Sequence, residues 1–231
     1  MTCIVAFRDE EENIILAGDK MGSDSYSKMI VKEPKVFKNG DFAIGYTDSF
    51  RMGQLLKHVW TPPERKMEQE TDNYLYADVT KSLREMFKEN GFGDDDNNDF
   101  GAFIMIYEDR ILEMQGEMSL LEHETDIVSV GAGCYHATAA LQVLLEYDLG
   151  VEPILDKTFE VVSYNIVSVS TEYDWLTIPS YKVQFREMVK ELAEMEEEAE
   201  QVENLEKGLD ELPPDVIMEV KKKRGRPKKD K

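Results

Sequence analysis

"MTCIVAFRDEEENIILAGDK", residues 1–20, sets a buried strand almost at the first residue of the chain. Ile4-Val5-Ala6-Phe7 is apolar throughout, a turn rich in Asp, Glu and Asn follows, and Ile14-Ile15-Leu16-Ala17 is a second apolar run. Two apolar runs around a polar turn read as a β-hairpin. Most domains leave their first residues loose. A terminus held this firmly is either ordinary anchoring or the place where chemistry happens, and the residue after the initiator methionine is Thr2.

Composition narrows the class. The chain has 231 residues, 42% of them hydrophobic, enough for one domain with a substantial core plus an appendage. No apolar run approaches the ~18 residues of a spanning helix, and no signal-peptide pattern follows the start. The expected location is therefore cytoplasmic (host cytoplasm if the protein is viral), with no membrane partner. Two cysteines, Cys3 and Cys134, make no disulfide framework, in keeping with a reducing compartment. The net charge of −21 is segregated: residues 221–231 hold eight Lys or Arg and one Asp, a local +7, so the residues before them carry −28.

The chain reads as strands, helices, strands, helices and a closing extended segment. Val36-Phe37-Lys38 and Phe42-Ala43-Ile44-Gly45-Tyr46 flank Asn39-Gly40, a strong hairpin signal. Residues 48–59 and 74–89 are predicted helical; in the second, Leu75, Val79, Leu83, Met86 and Phe87 recur at helical spacing. Strands are predicted at 103–107, 111–114 and 127–130, then helices near 136–147 and 152–164. A strand at 166–170 and an extended segment near 177–183 close the domain. From about Phe185 the chain is a charged helix with a thin stripe of Met188, Leu192, Met195, Ala199, Val202, Leu205 and Leu209, ended by Pro213-Pro214. The organisation is thus a folded domain over 1–183, an acidic helical extension over 184–212 and a disordered basic tail over 213–231.

The acidic loop "GFGDDDNND" invites a calcium reading, which fails on its spacing. The glycine position of an EF-hand loop holds Asp99, and the position of the bidentate glutamate holds Met105. No metal site and no cofactor are expected.

The order of elements and the threonine at the start give the expected architecture: α+β, a four-layer α-β-β-α sandwich with a C-terminal charged helix. The stretches "MTCIVAF", "ILAGDK", "VKEPKVFKNGDFAIGY" and "IVSVGAGCYHATAAL" resemble the N-terminal-nucleophile (Ntn) hydrolases of the proteasome β-subunit and HslV kind. The resemblance covers roughly residues 2–183. Asp19 and Lys35 lie sixteen positions apart, as the corresponding pair does in that family.

The resemblance implies a threonine endopeptidase. With Met1 removed, the Thr2 hydroxyl is the nucleophile, and its own α-amino group, with an unperturbed pKa of about 7.7–8.0, is the general base. A lysine ammonium at position 35 favours deprotonation of both groups, and Asp19 orients Lys35. Asp174, in "STEYDWL", falls where the proteasome pattern has an aspartate that orients the terminal amine. The chain also departs from the pattern. The turn Gly131-Ala132-Gly133 has Ala132 where the family has a serine. Thr47-Asp48-Ser49 replaces the Ala-Gly-Gly that supplies an oxyanion-hole backbone N–H, so a carboxylate stands at Asp48, beside that donor. Cys3 would need a further cleavage to reach the terminus and reads as a small apolar side chain.

The family works as homo-oligomeric rings that enclose unfolded protein or peptide substrates and are fed by an ATP-dependent unfoldase. These are the implied partners. The departures leave a second reading open, a proteasome-like scaffold that assembles but cleaves poorly. A third comes from the tail: Arg224-Gly225-Arg226-Pro227, with lysines on both sides, resembles an AT-hook, which lays an Arg-Gly-Arg backbone in the narrow minor groove of A·T-rich DNA. On that reading the protein is a DNA-associated ring tethered through its tail.

Overall fold

The computed structural model describes residues 2–23, 26–93, 100–181, 183–186, 188–190 and 195. The chain divides into two compact units, Met1–Val183 and Gln184–Lys231. In the second unit, residues 184–186 and 188–190 are helical; the AT-hook-like segment at 224–227 lies outside the described residues, as do the acidic loop at 94–99 and most of the heptad stripe.

In the first unit, β1 (Cys3–Arg8) and β2 (Ile14–Asp19) form the predicted hairpin, with Val5 opposite Ala17. A short ribbon follows, β3 (Met21–Ser23) paired with β4 (Lys28–Ile30). Next come β5 (Val36–Asn39) and β6 (Phe42–Tyr46), turned at Gly40, whose φ is +58°. Helix α1 (Phe50–His58) is capped by Ser49, whose hydroxyl oxygen accepts from the Arg51 N–H. Helix α2 (Thr71–Asn73) runs through a π-wound turn, Tyr74–Val79, into α3 (Thr80–Glu89). Strands β7 (Phe103–Tyr107), β8 (Arg110–Met114), β9 (Leu120–Glu122) and β10 (Ile127–Gly131) come next. Helices α4 (Cys134–Leu144) and α5 (Val151–Asn165) and strand β11 (Tyr173–Ile178) complete the unit.

The strands make two antiparallel sheets, ordered β10-β1-β2-β11 and β5-β6-β7-β8-β9. Three apolar clusters define the layers. Ile4, Ala6, Ile14 and Leu16 of the first sheet meet Val36, Ala43, Ile104 and Ile106 of the second. The opposite faces of β1 and β2, through Val5, Phe7, Ile15 and Ala17, pack on Leu141, Leu155 and Phe159 of α4 and α5. The far face of the second sheet packs Phe103, Met105 and Leu112 on Leu55, Leu83 and Phe87 of α1 and α3. This is the four-layer α-β-β-α sandwich. Strands β1 and β2 are apolar at almost every position because both of their faces are buried, and alternation is then lost.

Two expectations are corrected. Residues 166–170 form a turn rather than a strand: Val169 N–H donates to Ile166 O at 3.1 Å, and Val169 is buried against the α4–α5 layer. The place beside β2 is taken by β11, which begins earlier than the extended segment near 177–183, with Trp175 opposite Ala17. An alternating apolar pattern serves a plugged turn as well as a strand, so periodicity alone does not separate them.

Candidate active site

Strand β1 is the second strand of its sheet, between β10 and β2, and Thr2 stands at its start, 4% exposed. Asp19 is the last residue of β2, so the hairpin returns a carboxylate to the chain's beginning. Its Oδ1 accepts from Cys3 N–H at 2.9 Å, and its Oδ2 accepts from Met21 N–H at 2.9 Å and Ser170 N–H at 3.4 Å. Lys35 comes from the other sheet, directly before β5. Its ammonium donates to Thr2 Oγ1 at 2.9 Å, to Asp19 Oδ1 at 3.0 Å and to Met21 O at 2.6 Å. All three ammonium protons therefore have acceptors.

The Lys35 and Asp19 side chains are 1% and 0% exposed. Burial pushes the Lys35 pKa down, and the Asp19 charge opposes that shift. A buried ion pair survives when each charge is fully hydrogen-bonded, and four donors converge on Asp19. The Cys3 thiol, by contrast, is pushed well up by burial and by Asp19, so it stays protonated.

The turn Gly131-Ala132-Gly133 crosses the same end of the sheet. Cys3 pairs with Gly131 in the β1–β10 register. Gly131 has φ +93°, and a Cβ added there would overlap the Thr2 carbonyl oxygen. Glycine is required on both counts. Ala132 brings no hydroxyl to this corner.

Thr47-Asp48-Ser49 lies across from Thr2. A cavity of about 30 Å³ is lined by Thr2, Met21, Lys35, Thr47, Asp48 and Ser49, among others. Asp48 has φ +61°, and Ser49 N–H donates back to Thr47 O at 2.7 Å. The carboxylate is held on the side of β7: Asp48 Oδ2 lies 2.8 Å from Thr47 Oγ1 and 3.5 Å from Ala102 N.

Asp174 stands on β11, beside β2. It lies opposite Gly18, and its Oδ1 accepts from Lys20 Nζ at 3.2 Å. Its other oxygen is buried without a hydrogen-bond partner among the described residues. Its side chain leaves the strand on the face opposite that of its neighbour Tyr173. What motif reading missed is Ser170, whose N–H completes the Asp19 shell while its hydroxyl oxygen accepts from Lys20 N–H at 3.3 Å. That link spans 151 positions and has no local signal. Two of the histidines have other partners, His58 with Glu33 and His123 with Glu113. Among the described residues, no three His, Cys, Asp or Glu side chains gather in a way that could hold a metal ion.

Comparisons with known proteins agree with this architecture. Thiobacillus denitrificans BPH in complex with epoxomicin superposes with a TM-score of 0.65 at 14% identity, over 77% of this chain and 98% of that one. Eukaryotic HslV from Trypanosoma brucei gives 0.56 at 20% identity, over 77% and 99%. Anbu, the ancestral β-subunit from Yersinia bercovieri, gives 0.54 at 13%, over 92% and 98%. Neither a protein-family model nor a curated sequence matches the chain. The protein therefore has the proteasome-like Ntn-hydrolase fold, shared with HslV-like and Anbu proteins.

Proposed function

We propose that this protein is a threonine-type peptidase whose nucleophile is Thr2 after removal of Met1. The observation that carries the reading is Lys35 Nζ, buried, joining Thr2 Oγ1 at 2.9 Å to Asp19 Oδ1 at 3.0 Å. An ammonium there stabilises developing negative charge on Oγ1 and disfavours protonation of the neighbouring amine. The freed α-amino group takes the hydroxyl proton as Oγ1 bonds to the substrate carbonyl carbon. The Asp48 N–H serves as an oxyanion donor. Collapse expels the amine product, which takes the proton from the α-ammonium, and leaves an ester on Thr2. Water then attacks the ester, the amine again taking the proton, and its return to Oγ1 releases the acid.

By analogy with the fold's other members, substrates are unfolded or peptide chains and the working form is a homo-oligomeric ring served by an unfoldase. The epoxomicin complex of BPH motivates the probe. Purified protein is weighed intact before and after an epoxyketone. Loss of Met1 with one adduct per chain, absent in Thr2→Ala, is the expected result; retained Met1 sinks the reading, because the base is missing. Ala132, which offers no hydroxyl beside Thr2, favours the alternative of a weakly cleaving scaffold. Processed but unlabelled protein would shift weight to that alternative.

A further inference from the structure

We propose that the Asp48 side chain is a positioning group for this site. Its carboxylate, tied to Thr47 Oγ1 and the Ala102 N–H, holds the left-handed turn that presents the Asp48 backbone N–H to the cavity beside Thr2. The inference rests on the peptidase reading above.

Three observations carry it. The first is conformational: a φ of +61° is costly for most side chains, and Asp is among the few that tolerate it. The turn is closed by a single bond between residues two apart, Ser49 N–H to Thr47 O at 2.7 Å, the hand of the less common γ-turn. Such a turn persists when its surroundings over-determine it.

The second is the anchor. Thr47 Oγ1 lies 2.8 Å from Asp48 Oδ2 and 2.7 Å from Ala102 O, and its one proton is shared between those acceptors. Thr47 N–H also donates to Ala102 O at 3.3 Å. The turn is thereby bound at several points to the residue just before β7, and on its other side Ser49 caps α1. Strand, turn and helix are locked in sequence.

The third is electrostatic. A carboxylate facing the Thr2 cavity would oppose a developing oxyanion, and these contacts commit it to the side of β7. A glycine in this place would reach the same turn with more freedom and no anchor. Asp48 supplies the anchor while keeping its charge off the reacting carbonyl.

The test compares second-order epoxyketone labelling, read by intact mass, in wild type, Asp48→Ala, Asp48→Asn and Thr47→Val, with Thr2→Ala as blank. Peptide hydrolysis of the same four is resolved into kcat and KM. The inference expects Asp48→Ala to label at least fivefold more slowly, with the loss in kcat. Asp48→Asn, which keeps an acceptor and tolerates positive φ, should label at least fivefold faster than Asp48→Ala. Thr47→Val should slow labelling even if Asp48→Ala fails to fold. Labelling of Asp48→Ala within fivefold of wild type overturns the inference and leaves the peptidase reading intact, as does an Asn variant no faster than the Ala variant. A loss carried by KM also overturns it. A processed wild type that takes no label overturns both.

Discussion

Lys35 Nζ stands 2.9 Å from Thr2 Oγ1, although the two residues are 33 positions apart and precede strands of different sheets. The contact exists because β1 and β5 begin at the same edge of the sandwich. Replacing Lys35 by Met strands the buried Asp19 carboxylate, which costs about 3–5 kcal/mol of stability. Epoxyketone labelling should fall by about a hundredfold or more, within the range of removing a group that stabilises transition-state charge. The double variant Lys35→Met/Asp19→Asn removes the unpaired charge, so thermal unfolding should recover in part while labelling stays lost.

Gly131 is held at φ +93° with its Cα against the Thr2 carbonyl. Gly131→Ala should destabilise by more than the roughly 1–2 kcal/mol of left-handed strain alone. Gly91 provides the comparison, since its φ is +60° and a Cβ there meets nothing within 4 Å. Gly91→Ala should cost the strain and no more. Urea denaturation of the two variants, with labelling of Thr2 measured alongside, reads the difference.

Ala132 adjoins Gly131 and offers no hydrogen bond to the corner that holds Thr2. Ala132→Ser restores a hydroxyl there, and one added hydrogen bond is worth about 0.5–1.5 kcal/mol. Labelling should rise roughly two- to tenfold with KM unchanged. A drop in rate would show that the hydroxyl has no productive partner in this chain.

Tyr46 is pushed up to about 12, chiefly by burial beneath α1. A raised tyrosine contributes stability that is fully present below its unfolded pKa near 10 and is lost as pH rises toward 12, because the unfolded chain releases the proton first. The urea midpoint should therefore fall above pH 10, with Tyr46 accounting for at most roughly 3 kcal/mol. Tyr46→Phe should flatten that fall.

The hairpin of β1 and β2 was legible because continuous apolar runs around a polar turn have few other readings. Asn39-Gly40 gave β5–β6 for the same local reason. The turn at 166–170 was not legible: Val167-Ser168-Val169-Ser170 alternates like a strand. The decision came from β11 occupying the edge of β2.

The sequence by itself determined the residue types at hand, a threonine behind Met1 together with a lysine, an aspartate and the strands that carry them. Those are properties of residue type and local spacing. Only the tertiary structure decided that the three converge, because Lys35 reaches Thr2 across the gap between two sheets. It alone turned the Asp48 carboxylate toward β7 and gave Asp174 to Lys20. Side-chain direction depends on register and on which neighbours already fill the space, and neither is written in any short stretch of sequence.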